Sequence, residues 1–155
     1  MTDSDNIDDL CMAFDHAEIL IDCDKWHDCD KLQNALETVL NTVLSGEENV
    51  SILLTDDDRI RQLNNDFRSK DTPTNVLSFP SGDDLFLGDI AISFTTLHTE
   101  ADLQDKEFYA HFMHILIHGI LHLLGYDHID DDEAEEMEAV EIKLLEDMGI
   151  KNPYI

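Results

Sequence analysis

Basic side chains are scarce in this sequence: 9 Lys and Arg stand against 36 Asp and Glu, a net charge of −27 over 155 residues. That balance excludes binding to nucleic acid by bulk electrostatics, because such affinity comes from Lys and Arg displacing counterions. A nucleic-acid role would need a local positive site, a bound cation or a partner. Solubility and self-repulsion, as in adaptation to salt, are the simpler reading of the charge. Cysteine is also sparse. Cys11, Cys23 and Cys29 make an odd count with no C-x-x-C step, which argues against a disulfide framework or a thiolate metal site and for a reducing, cytoplasmic setting. Only three prolines occur, and there is no linker of Pro, Gly or Ser and no repeat. One domain is the simplest account, and the length suffices to bury a core. Long apolar runs are missing too. The longest, residues 115–125, is broken by His118 and His122 and is too short and polar to span a bilayer. Residues 1–5 are acidic, with no basic stretch leading into an apolar one, so no secretory signal is expected.

What is present is a regular alternation of apolar patterns, at 43% apolar residues overall. Residues 1–16 read as a loose acidic arm. Strands are predicted at 17–21, 50–55, 75–79 and 88–93. Leu32, Leu36, Val39, Leu40 and Val43 recur at three- and four-residue steps, predicting a helix over 31–44 with Asp30 as its cap and Gly46 just beyond it. A second helix follows, capped by Asp57 or Asp58, with Ile60, Leu63 and Phe67 facing inward. From Thr95 onward the chain is predicted helical, with a long helix over 106–124 and a last one over 131–148 ending at Gly149. Short gaps favour antiparallel pairing and helix-containing gaps favour parallel pairing. The expected fold is therefore α+β: a single compact domain, 1–155, with a small mixed four-stranded sheet and about five helices.

The chemistry concentrates on the long helix. Five of the eight histidines fall between positions 111 and 128. His118 and His122 are one turn apart on one helix face, so two imidazoles about 5.4 Å apart along the axis can converge on one ion. Gly125 can take the left-handed conformation that ends a helix, letting the chain bring His128 to the same ion. Three imidazoles and an open position match the catalytic rather than the structural zinc pattern. The +4, +10 spacing also occurs in a class of zinc peptidases of the form H-E-x-x-H-x-x-G-x-x-H. Their general base is the Glu after the first His; here that position is Gly119, which disfavours peptide hydrolysis.

The string from His118 to His128 (HGILHLLGYDH) resembles the signature of the YbeY family of bacterial ribosomal-RNA maturation endoribonucleases. Residues 68–80 (RSKDTPTNVLSFP) and 87–93 (LGDIAIS) also match, as does the acidic stretch 131–141. The similarity runs from about residue 50 to the C-terminus. It implies a zinc-dependent endoribonuclease holding one Zn2+ on His118, His122 and His128. Arg68 matches a family arginine that contacts RNA or stabilises its phosphate. The implied role is trimming ribosomal RNA, notably at the 3′ end of the small-subunit RNA, and ribosome quality control. The implied partners are RNA, ribosomal proteins or a ribosome-associated GTPase, with neither DNA nor membrane among them.

Other residues leave alternatives open. Arg68 is a candidate bidentate phosphate ligand or a surface ion pair with a nearby Asp. His114, one turn before His118, is a candidate base, substrate contact or fourth ligand, or a histidine packed against the sheet. His111 reads as packing. Asp127 either orients an imidazole or serves the turn. Residues 130–133 read as a helix start, with Asp130 and Glu133 as a capping pair, rather than a divalent-cation site. Trp26 reads as packing. Two further functions compete with the nuclease: a ribosome-associated binding module stabilised by zinc, and a metallopeptidase.

Overall fold

The computed structural model describes residues 10–154. The four expected strands are there, and a fifth joins them: β1 (Leu10–Phe14), β2 (Ala17–Ile21), β3 (Asn49–Thr55), β4 (Val76–Pro80) and β5 (Phe86–Ser93). They make one sheet in the order β1-β2-β3-β5-β4. β2 pairs with β3, and β3 with β5, in parallel; β1/β2 and β4/β5 are antiparallel. Strand β1 corrects the reading of residues 1–16 as a loose arm. Leu10–Phe14 carries no charged residue, and the tight turn between Phe14 and Ala17 lets it pair along β2. Averaging it with the acidic residues before it hid the strand. Residues 1–9 lie outside the described residues.

Five α-helices pack on the sheet: α1 (Leu32–Val43), α2 (Asp57–Arg68), α3 (Phe94–Leu103), α4 (Phe108–Leu123) and α5 (Asp131–Asp147). The main core lies on one face. Ile19 and Ile21 of β2 and Val50, Ile52 and Leu54 of β3 alternate inward and meet Leu36 and Leu40 of α1 and Leu116 and Ile120 of α4. Each Leu or Ile so buried stabilises the fold by about 1.5–3 kcal/mol. Trp26, in a short 3-10 turn, is buried among them; its Nε1 donates to the Thr55 carbonyl at 2.8 Å, which satisfies its one polar atom. The opposite face is covered by α2 through a small cluster of Ile60, Leu77 and Ala91. Phe67, expected to face inward with Ile60, is instead 68% exposed. Helix α2 ends one residue later, where Ser69 is left-handed (φ 58°), and Phe67 reaches only the Phe79 ring at the margin of the cluster.

The caps also differ in detail. Asp56, not Asp57 or Asp58, flanks α2. Its carboxylate serves the start of α3, accepting from Thr95 N at 2.8 Å and from Lys25 Nζ at 2.8 Å. Asp57 accepts from Ser93 Oγ and Thr96 Oγ1. The two helix starts are thus joined by carboxylates that complement both N-termini. Asp30 does not cap α1; it accepts from the Tyr109 hydroxyl at 3.2 Å.

Two glycines allow close approach. A Cβ at Gly88 (φ +142°) would lie 2.2 Å from the Phe79 carbonyl oxygen, where β5 pairs with β4. Gly119, on α4, is pressed onto β4: a Cβ there would lie 3.3 Å from both Ser78 Oγ and Val76 Cγ2, and Ser78 Oγ donates to the Gly119 carbonyl at 3.0 Å.

Candidate metal centre

Helix α4 stops at Leu123, and Gly125 has φ +106° as the spacing predicted. Tyr126 N then bonds back to the Leu121 carbonyl at 3.0 Å, closing the turn that carries His128 towards the helix. Asp127 accepts from His128 N at 2.7 Å, a turn contact rather than an imidazole one. Asp130 accepts from Glu133 N at 2.8 Å and so caps α5, as the acidic run implied.

The turn brings His118, His122 and His128 together, with one ring nitrogen of each lying within 4.8 Å of the others. Hydrogen bonding sets the tautomers of two of them. The Tyr126 carbonyl can only accept, so His122 Nδ1, 3.1 Å away, must donate. His118 Nδ1 lies 2.6 Å from Glu141 Oε2 and donates to it. Both Nε2 atoms then carry lone pairs, and they face each other at 3.1 Å. Two lone pairs at that distance repel unless a cation lies beside them, so the donor set fits a metal ion. Burial, and then the charges of His118 and His128, lowers the pKa of His122, favouring the unprotonated ring a metal needs. Thiolates are absent from the group, and three imidazoles leave a position open for substrate or water.

Glu141 was not identified from the sequence as a site residue, yet it organises this centre. It is fully buried. It accepts from His118 Nδ1, from His114 Nε2 at 2.7 Å and from the Tyr154 hydroxyl. Burial alone would raise its pKa, but the bonds from His114, His118 and Tyr154 outweigh it and hold the carboxyl at about 2. Burial and the Glu141 charge push the Tyr154 hydroxyl well above its ordinary value, so it stays a donor. One signal was readable. Met137, Glu141 and Leu145 form the buried stripe of α5 at four-residue steps, and an acid inside an apolar stripe needs a partner. Nothing comparable marks Tyr154.

His114 packs between α4 and α5 with its Nε2 committed to Glu141 and its Nδ1 buried without a partner. Neither ring nitrogen is presented to the three-histidine group. His111 is also buried, its Nε2 2.9 Å from Glu100, which in turn accepts from Asn75 Nδ2 at 3.0 Å.

The centre opens into a cleft of about 910 Å³ that is also lined by Arg68, Lys70 and Asn75. Arg68 makes no ion pair among the described residues. Its Nη2 donates to the Ser78 carbonyl at 2.7 Å and its guanidinium lies over the Phe79 ring, 5.7 Å from the centroid. One edge of the fork is anchored, and the residue remains exposed. No helix among the described residues is long and apolar enough to cross a membrane.

Comparison with known proteins extends the resemblance beyond these motifs. The sequence model of the family described as Endoribonuclease YbeY matches residues 20–149. The Endoribonuclease YbeY of Rhodopseudomonas palustris is 44% identical over 151 residues, covering 88% of this chain and 80% of that protein. The Endoribonuclease YbeY of Francisella tularensis subsp. tularensis is 49% identical over 135 residues, covering 81% of this chain and 80% of that protein. Among solved structures, the solution structure of TM1509 from Thermotoga maritima superposes with a TM-score of 0.61 at 33% identity, covering 77% of this chain and 81% of that one. With the family match spanning β3, β4 and β5 and the histidine turn, the chain belongs to the YbeY endoribonuclease family.

Proposed function

We propose that the chain is a single metal-dependent hydrolase domain, a zinc-dependent endoribonuclease that cuts single-stranded RNA in ribosomal RNA maturation and ribosome quality control in the cytoplasm. The observation that carries this reading is a three-imidazole centre in a cleft also lined by Arg68, which is exposed and makes no ion pair among the described residues. His118, His122 and His128 would hold one Zn2+. The bound ion would supply Lewis acidity and lower the pKa of water towards neutrality, and its charge is local in a cleft of an otherwise acidic protein. Arg68 would bind a phosphate through the part of its guanidinium not bonded to Ser78, stabilising charge that develops on the phosphate oxygens. Glu141 and His114 act as positioning residues: His114 fixes the carboxylate that fixes the His118 tautomer. Ribosomal RNA is the proposed substrate, with ribosomal proteins or a ribosome-associated GTPase as partners.

The test is cleavage of a labelled single-stranded RNA by the wild type and by His122→Ala, purified identically. Cleavage by the wild type and not the variant is expected; equal rates would refute the assignment. Arg68→Ala should leave zinc bound while turnover falls. The net charge of −27 favours one second reading, a zinc-stabilised module that docks on basic ribosomal proteins. Chelation separates the two. Loss of the fold on removing the metal, with no cleavage by the wild type, would support the module.

A further inference from the structure

An aromatic pair beside Arg68 is left unused by this chemistry. Phe67, at the end of α2, is 68% exposed. Its ring centroid is 5.3 Å from that of Phe79 on β4, and the Arg68 guanidinium lies over the same Phe79 ring. Phe79 therefore has neighbours in Phe67 and Arg68, while most of Phe67 is open to solvent. The pair borders a groove of about 390 Å³ between α2 and the sheet, lined by Leu53 and Ala91 of the strands and Leu63 of the helix, with the charged Arg59 and Asp89 also lining it. Arg68 belongs to the wall of the metal cleft and its guanidinium lies over Phe79, which lines the groove, so the two cavities adjoin through that contact.

We propose that Phe67 and this groove form a nucleobase subsite for single-stranded RNA. A base stacks on the exposed Phe67 ring while Arg68 holds the adjoining phosphate at the lip of the cleft. The inference rests on the RNA-cleaving reading above and says where the strand leaves the metal centre. Aromatic faces stack bases of any sequence, and arginine adds both a cation–π contact and phosphate affinity. Charge favours RNA as the occupant. Arg59, Arg61, Arg68 and Lys70 are four of only nine basic residues in the chain. Arg59 and Arg61 make only loose pairs, at 3.9 and 3.7 Å, and among the described residues Arg68 and Lys70 make none. Counted with Asp56, Asp57, Asp58, Asp66 and Asp71, residues 56–71 carry a net charge of only −1 in a chain of net −27, so this segment repels a polyanion less than the chain average.

The experiment is steady-state cleavage of a labelled single-stranded RNA by wild type, Phe67→Ala and Phe67→Tyr. Each is also tested on a matched substrate in which nucleotides flanking the cut are abasic, keeping the sugar and phosphate. Phe67 is exposed, so the alanine variant should keep the wild-type melting temperature. Phe67→Ala should raise KM about tenfold with little change in kcat, in line with stacking losses measured by alanine substitution. Phe67→Tyr should restore KM. The abasic substrate should raise the wild-type KM to that of Phe67→Ala and leave the variant's unchanged, because the missing base and the missing ring remove one interaction. An unchanged KM in Phe67→Ala, with the enzyme active, would overturn the subsite and leave the nuclease reading standing. If Phe67→Ala instead abolishes self-association in sedimentation at unchanged KM, the face is an interface between copies and the subsite is likewise overturned. A wild type that cleaves no RNA would overturn both.

Discussion

Replacing Glu141 by Gln tests whether the centre depends on one buried carboxylate. The change is nearly isosteric but swaps two acceptor oxygens for one acceptor and one N–H2 donor. Oε1 already serves His114 and Tyr154, and Oε2 serves His118. The amide oxygen would keep the first two donors, and the amide nitrogen would face His118 Nδ1. Two donors cannot share that contact, so His118 moves its proton to Nε2, the nitrogen that must meet the metal. Loss of such an orienting partner costs about 10- to 100-fold in metal affinity, or about 1.4–2.8 kcal/mol. The expected value lies at the upper end, because a ligand nitrogen is blocked rather than merely loosened. The stability of the metal-free protein should change less, because removing the charge also removes its desolvation cost. Affinity is read by competition with a chromophoric zinc chelator, and the tautomer by imidazole nitrogen resonances. A variant that binds zinc within twofold of wild type, or keeps the His118 proton on Nδ1, would refute the reasoning.

The remaining predictions use the same network and two places elsewhere in the fold. Tyr154→Phe removes one of three donors to Glu141 and should weaken zinc binding several-fold in the same competition assay, with the fold intact; unchanged affinity would show the hydroxyl to be dispensable. Asp56 has its pKa held at about 2, below 3.8, because hydrogen bonds from Lys25 and Thr95 outweigh the effect of burial. Its contribution is therefore present above pH 3.8 and lost as pH falls towards 2. Asp56→Asn should lose about 2 kcal/mol or less, given partial screening, in urea titrations at pH 6 and almost nothing near pH 2. A difference independent of pH would contradict this. Gly88→Ala must place a methyl against the Phe79 carbonyl at a positive φ and should cost about 3 kcal/mol, read as a fall in the urea midpoint; a wild-type midpoint would mean that β4 and β5 can part at little cost.

Much of this arrangement was legible in the residues. The +4 and +10 steps from His118, with Gly125 between, predicted a turn whose glycine has the required positive φ. Gap lengths predicted the parallel β2/β3 pair and the antiparallel β4/β5 pair, because a crossover needs a helix and a hairpin does not; the helix-containing gap between β3 and β4 instead leads to an edge strand that runs opposite to β3, which takes β5 as its parallel partner. The parts that were not legible depend on contacts distant in sequence. Glu141 meets His118 across 23 positions and Tyr154 meets His114 across 40, and no local periodicity encodes either. Phe67 misled for a related reason: helical spacing assigns a face but not how fully that face is covered, and Phe67 packs on Phe79 with most of its ring open to solvent. Asp57 likewise looked like a cap for its own helix, while its partner Thr96 lies on the next, as does Thr95, the partner of Asp56.

The way α4 seats on the sheet bears on evolutionary reachability. In the peptidase pattern, the residue after the first histidine reaches towards the metal and takes a proton from water. In this protein that residue is Gly119, which lies against β4 and carries the carbonyl that accepts from Ser78. A glutamate introduced there would enter the helix–sheet seam and part α4 from β4 before its carboxylate could approach the histidines. The same three-histidine spacing is therefore locked into different chemistries by what the neighbouring position must touch. A one-residue substitution does not connect them; the helix would first have to lift off the strand that it covers.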